Sequence, residues 1–245
     1  MQALSTPALL DAWERGFGTS LYQRALTLLA AASPDLSLDQ LARLSIGQRD
    51  TCLLTLRELT FGSQLNAVAH CRGCGAQLDF NFSVADTRMA AVDETPIDET
   101  FTVTLGNRVA QFRLPNSLDL AAIASEHDVS RARTLLLQRC VLSVTHDGNT
   151  HSVADAPREL LDAAVEEIAR LDPQADVDVA FTCPSCGDRR EVALDIASFF
   201  WSEIDAWATR TLSDVHTLAA AYGWRESDIL LMNPRRRQRY LDLVG

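Results

Sequence analysis

The residues most able to do chemistry are two cysteine pairs. Thr182 to Ile196 reads TCPSCGDRREVALDI, in which Cys183 and Cys186 flank Pro184 and Ser185, a glycine follows, and apolar and polar residues then alternate. His70 to Phe82 reads HCRGCGAQLDFNF and repeats the plan around Cys71 and Cys74. A tight turn of this kind points two thiolates and several backbone N–H groups at one ion, and the following glycine relieves the turn. Together the pairs supply Cys71, Cys74, Cys183 and Cys186, a full tetrahedral sulfur set for one structural Zn2+ per chain. Four thiolates leave no open coordination position, so the metal would be architectural. The alternatives are redox or disulfide chemistry, or two vestigial turns that close without metal. A redox pair needs a helix starting at the cysteines to lower the thiol pKa, whereas a strand follows both pairs here.

Other residues give weaker signals. His70 adjoins Cys71 and is expected to face solvent, because neighbouring strand residues point to opposite faces. Cys52 and Cys140 lie in apolar helical runs and read as small core residues. His127, His146, His151 and His216 lack partners at triad or metal spacing. Asp147-Gly148-Asn149 reads as a hairpin turn and not as a calcium loop. The chain has no Gly-rich phosphate loop and no GxSxG, so nothing motivates an enzyme. Arg235, Arg236, Arg237 and Arg239 form the one basic run. Cations at a helix N-terminus oppose the dipole by a few tenths to about 1 kcal/mol each. Glu226 and Asp228 could offset them, or an acidic partner surface could. Trp201, Trp207 and Trp224 gather in the last quarter, as core or as a partner hot spot.

These residues sit in a chain of 245 residues with 47% apolar content, enough for a real core. The formal net charge is −11, and all 22 basic residues are arginine. Such a chain repels phosphate backbones, which makes nucleic acid a poor partner. No basic leader followed by an apolar run opens the sequence, and no run reaches the roughly 18 residues that span a bilayer. A cytoplasmic location with reduced thiols is expected, and no membrane partner.

The apolar period places helices over Thr6 to Ala32 (two, broken near Gly16 and Gly18), Leu36 to Leu44, and Ile46 to Phe61 with Ile46, Leu53, Leu56 and Leu59 inward. Leu78, Phe80, Phe82 and Val84 alternate as a strand. Asp93 to Thr100 reads as an acidic loop, and Phe101 to Leu114 as a hairpin turning at Gly106-Asn107. Helices follow over Ser117 to Ala124, Ser130 to Val141 and Arg158 to Leu171. Val177, Val179 and Phe181 alternate into Cys183, and Val192, Leu194 and Ile196 alternate out of Cys186. Ser198 to Tyr222 forms a long helix closed by Gly223 in a left-handed cap, and Asn233-Pro234 opens a last short helix. The expected fold class is α+β, mainly helical, organised around a split zinc ribbon of two Cys-x-x-Cys-Gly knuckles. The division is 1–66 helical, 67–197 ribbon with an inserted α/β segment at 86–175, and 198–245 helical.

The C-terminal segment LAAAYGWRESDILLMNPRRRQRYLDLV resembles the tail of the baseplate hub assembly proteins of T-even-type contractile phages, and more closely their relatives in phage-tail-like extracellular contractile injection systems. The matching residues are Tyr222-Gly223-Trp224, Glu226, Ile229-Leu230, Arg236-Arg237 and Tyr240-Leu241. WERG at Trp13 and RELTFG from Arg57 are similar to the injection-system members. The resemblance implies a non-enzymatic assembly chaperone or structural adaptor of a baseplate hub. Its partners would be hub, spike or tube proteins, and the chain would be cytoplasmic or built into a tail-like particle. Trp224, Arg235, Arg236, Arg237 and Tyr240 are the expected partner-binding residues. The alternative is a zinc-ribbon module binding nucleic acid or another protein complex.

Overall fold

Three Ser-x-x-Gln repeats start three of the first four helices. The computed structural model describes residues 1–89, 99–153 and 156–244. Helix α1 spans Thr6–Gly16, α2 Leu21–Ala32, α3 Leu38–Arg43 and α4 Ile46–Phe61. Ser20, Ser37 and Ser45 cap the last three, and Gln23, Gln40 and Gln48 reach back to close the capping boxes. Ser37 as cap explains why α3 begins at Leu38 and not at Leu36. The helices pack with the long α9 (Ile196–Tyr222) around Leu9, Leu28, Leu29, Leu53, Leu54, Leu56, Phe200 and Ile204. Gly16 admits this packing, because a Cβ there would run into the Trp201 indole.

The inner face of α4 differs from the expected stripe. Leu59 is 49% exposed, while Leu54, Arg49, Asp50 and Arg57 are buried. Arg57 turns inward because Glu203 of α9 meets it with two bonds of 2.7 and 2.9 Å, and its remaining nitrogen donates to the Gly62 carbonyl. A bidentate partner makes burial of the guanidinium tolerable.

Strands β1 (Gln64–His70) and β2 (Gln77–Ser83) form an antiparallel hairpin, and so do β7 (Asp178–Thr182) and β8 (Arg189–Ala193). A lone two-stranded hairpin is marginal in water. These two lean on each other, with the Phe80 and Phe181 rings 4.6 Å apart. Val84 does not extend β2 but opens the single turn α5 (Val84–Thr87), capped by Ser83. Likewise Ile196 does not extend β8. Asp195 caps α9, accepting from the Ser198 N–H at 3.1 Å.

Between the hairpins lies an antiparallel sheet ordered β3 (Thr100–Leu105), β4 (Arg108–Arg113), β5 (Val141–His146), β6 (Asn149–His151). Gly106 and Gly148, both at positive φ, make its two tight turns. The acidic loop expected from Asp93 lies, through residue 98, outside the described residues, and Thr100 already belongs to β3. Helices α6 (Ser117–Ile123) and α7 (Val129–Cys140) interrupt the sheet after β4. The helix expected to reach Val141 stops at Cys140, because Val141 pairs with Phe112 across the sheet. Helix α8 (Arg158–Leu171) covers one face through Leu160 and Ala164, against Phe112 and Val144.

The C-terminal end is a small module on α9. Gly223 takes the left-handed conformation at φ 68°, and α10 (Glu226–Leu230) and α11 (Pro234–Val244) fold back. Ile229, Tyr240 and Leu241 pack on Val215 and Leu218.

Candidate metal centre

The four cysteines occupy the connecting turns of the two hairpins, and the turns are built alike. The Cys71 N–H donates to the Ala76 carbonyl at 2.9 Å, and the Gly75 N–H to the Cys71 carbonyl at 2.8 Å. In the second turn Cys183 donates to Asp188 at 2.9 Å and Gly187 to Cys183 at 2.8 Å. Gly75 and Gly187 share φ 74°, the left-handed conformation that closes each turn. Gly73 lies where the turns meet. A Cβ on it would stand 3.7 Å from the sulfurs of Cys71 and Cys186 and 3.3 Å from the Asp188 carboxylate.

The four Sγ atoms all lie within 4.8 Å of one another. The closest pairs cross between hairpins, Cys71 to Cys186 and Cys74 to Cys183, both at 3.7 Å. Covalent bridging needs about 2.05 Å, so these are free thiols. A tetrahedron of sulfurs around Zn2+ at about 2.3 Å has edges of about 3.8 Å. The spacing therefore fits a metal of that size, and the all-sulfur donor set fits a soft one. Cys71 and Cys183 are buried, while Cys74 and Cys186 sit at the surface.

Burial works against a thiolate at Cys183, but the N–H groups of Cys186 and Ser185 and the neighbouring thiols outweigh it and bring the group down to about 7. The Asp188 N–H favours a Cys186 thiolate, but Cys183 and Cys74 outweigh it and push the group up to about 12. Close thiols of this kind titrate as a group, one thiolate discouraging the next.

His70 is exposed, and the cluster does not include it. Cys52 is half-buried at the edge of the helical core. Cys140 is buried beside Asp119, where burial and that carboxylate push its thiol up to about 12. Neither joins the cluster.

The expected partner residues gather on the C-terminal module, beyond the far end of α9. That helix has 27 residues and so a length of about 40 Å. Trp224 is half-buried, stacked on Tyr222 at 4.5 Å and meeting Tyr240 edge-on at 4.8 Å. Arg235 and Arg236 are exposed. Arg237 is buried, with its Nε 3.4 Å from the Asp214 carboxylate of α9. The countercharge to Arg237 thus comes from Asp214 of α9. Glu226 and Asp228 lie in the first turn of α10, where they favour that helix's own dipole.

Sequence reasoning missed a second polar cluster. Asp172 follows α8 and accepts from the Ser45 hydroxyl and the Gly47 N–H, both at 2.9 Å, at the N-terminus of α4. Gly47 makes the contact possible, since a Cβ there would collide with the carboxylate. Nearby, Asp50 is raised to about 6 by burial, opposed by Arg49 and reinforced by Asp195 and Asp172. Asp50 borders a cleft of about 490 Å3 that Tyr22, Arg49 and Asp195 also line. Asp119 is a third such residue, bonded to Arg113 at 2.6 and 2.9 Å and to Arg139 at 2.8 Å. Its one sequence signal is the Asn116-x-x-Asp119 capping box.

A model of the family described as T4 bacteriophage base plate protein matches residues 26–201. That stretch is most of the chain, and the chain belongs to this family. It takes in both cysteine pairs and ends just inside α9, before the C-terminal module. Comparison with curated proteins finds no match, and comparison with solved structures finds none.

Proposed function

We propose, starting from that membership, that the chain is a non-enzymatic adaptor or assembly chaperone at the baseplate hub of a contractile phage tail or tail-like injection system. The family match over residues 26–201 carries the reading. The hub assignment rests further on the C-terminal resemblance, from Tyr222-Gly223-Trp224 to Tyr240-Leu241. The partners are hub, spike or tube proteins, met in the cytoplasm during assembly.

The four cysteines hold one structural zinc in this reading, and the two hairpins are the halves of a split zinc ribbon. Cys74 and Cys183 are 109 positions apart, so the ion clasps the two ends of the insertion. Regions 1–66, 67–197 and 198–245 then act as helical body, clasp with insertion, and partner-facing end. Trp224, Arg235, Arg236, Arg237 and Tyr240 build that end. Arg237 serves from inside by fixing α11 on α9, and Arg235 and Arg236 meet the partner.

The test is capture of the tagged chain from producing cells, with mass spectrometry of the eluate and of purified mature particles, and metal analysis of the same sample. Hub, spike or tube proteins in the eluate support the reading. Presence in mature particles marks a permanent component, and absence from them marks a departing chaperone. An eluate of unrelated enzymes or nucleic acid rejects the tail role, and a chain without zinc rejects the clasp.

A further inference from the structure

The last helix carries four arginines against one acidic residue. Residues 222–245 hold five of the 22 arginines but three of the 33 acidic residues, so this end is positive on a chain of net charge −11. Helix α11 buries one face, through Arg237, Tyr240 and Leu241. Residues three, four and seven apart share a helix face. Arg236, Arg239 and Leu243 therefore run down the opposite face, with Arg235 one turn before Arg239.

Two observations say that this face is built to receive anions. First, the opening turn of α11 contains no acidic residue, although three arginines occupy it against the helix dipole. Asp214 answers Arg237 alone. Among the described residues Arg235 and Arg236 have no ion pair, and Arg239 reaches Asp242 only at 3.9 Å, with its side chain 86% exposed. Second, the face is not purely polar, because Leu243 on it is 75% exposed. Arginine flanked by apolar side chains is the composition of a binding surface.

We propose that the outward face of α11 docks an acidic segment of another protein, through Arg235, Arg236 and Arg239 to carboxylates and through Leu243 to an apolar side chain. The identity of that protein as a tail component rests on the baseplate reading, but the chemistry of the surface does not. Size selects a protein segment over longer anions. From Arg235 to Leu243 the face is about 12 Å long at 1.5 Å per residue. A duplex or a bilayer extends well past it and meets the acidic remainder of the chain. A short acidic segment ends where the arginines do.

The experiment titrates the full chain with a fluorescent 15-residue peptide of glutamate and leucine at helical spacing, at about 0.15 M salt. A duplex oligonucleotide and phosphatidylserine vesicles serve as competing probes. The parent is compared with Arg235→Glu/Arg236→Glu/Arg239→Glu, the milder Arg→Gln triple, and Arg210→Glu as an exposed control on α9. The parent and the control bind the peptide, the Glu triple binds at least tenfold more weakly, and the Gln triple falls between. Equal melting points show that the fold is intact, and the Gln triple replaces the Glu triple if the latter does not fold. Peptide binding that ignores the triples overturns the proposal, and so does a duplex or vesicle bound as tightly as the peptide. Incorporation into tail particles is scored in parallel. If neither parent nor variant enters particles while the peptide result holds, the docking face stands and the baseplate role falls.

Discussion

Single carboxylates in this protein are tuned in opposite directions by what surrounds them, and that gives a pH test. Asp50 is buried on α4 and raised to about 6, whereas an unfolded aspartate titrates near 4. The native state therefore binds the proton more tightly than the unfolded state, and stability rises as pH falls from about 7 to about 4. Two pH units correspond to about 3 kcal/mol. Asp119 has the opposite sign. Burial disfavours its charge, but Arg113, the Asn116 N–H and Arg139 outweigh burial and hold it below the usual range. Its contribution is present above the unfolded pKa and is lost as pH falls through the folded one. In Asp50→Asn the Asp119 effect remains and the Asp50 effect disappears. Denaturant unfolding should thus show the variant losing about 3 kcal/mol relative to the parent between pH 7 and pH 4. A constant difference across that range would mean that Arg49 and the cleft solvate Asp50 well.

Helix α4 depends on an element far away in sequence for its buried charge. Arg57 is almost fully buried and holds Glu203 of α9 and the Gly62 carbonyl. Arg57→Ala should destabilise by about 3–5 kcal/mol in denaturant titration, since it strands Glu203 and the carbonyl at once. Glu203→Gln, which keeps an acceptor, should cost less. This pair also marks where sequence reading stops. The Cys-x-x-Cys-Gly turns, the two hairpin turns with glycine and the left-handed Gly223 were legible, because each is fixed by residues within a few positions. So were Leu53 and Leu56. The exposure of Leu59 and the burial of Arg57 were not, because the hydrophobic period does not know that a carboxylate waits on α9, 146 positions away. Val141 was read as helical for the same reason, since its strand partner Phe112 is non-local. Asp172 reaches Ser45 across 127 positions, and no local pattern announces it. Strand β1 and the short α10 carry too few periodic residues to stand out.

For the molecule as a whole, the question is what the proposed zinc adds to a chain already folded by its packing. The clasp closes a loop of 109 positions from Cys74 to Cys183. In the chain-entropy account a cross-link over about 100 residues removes about 4.7 kcal/mol of disorder from the unfolded state. Helices α4 and α9 and the contact of Asp172 with Ser45 and Gly47 are independent of the cysteines, so the helical body should survive metal removal. The hairpins should not, because each is two-stranded and their shared cluster is small, built on Cys71, Leu78 and Cys183. One kcal/mol moves the melting point of a chain of this size by about 2–4 °C. Chelation should therefore lower it by about 10–20 °C, with most of the helical circular dichroism kept below the transition. Cys183→Ser should reproduce that shift without chelator and should lose the bound metal. If the chelated protein and Cys183→Ser both melt with the parent, the packing of Phe80 on Phe181 already holds the hairpins together. The four thiols would then be a site without a structural task.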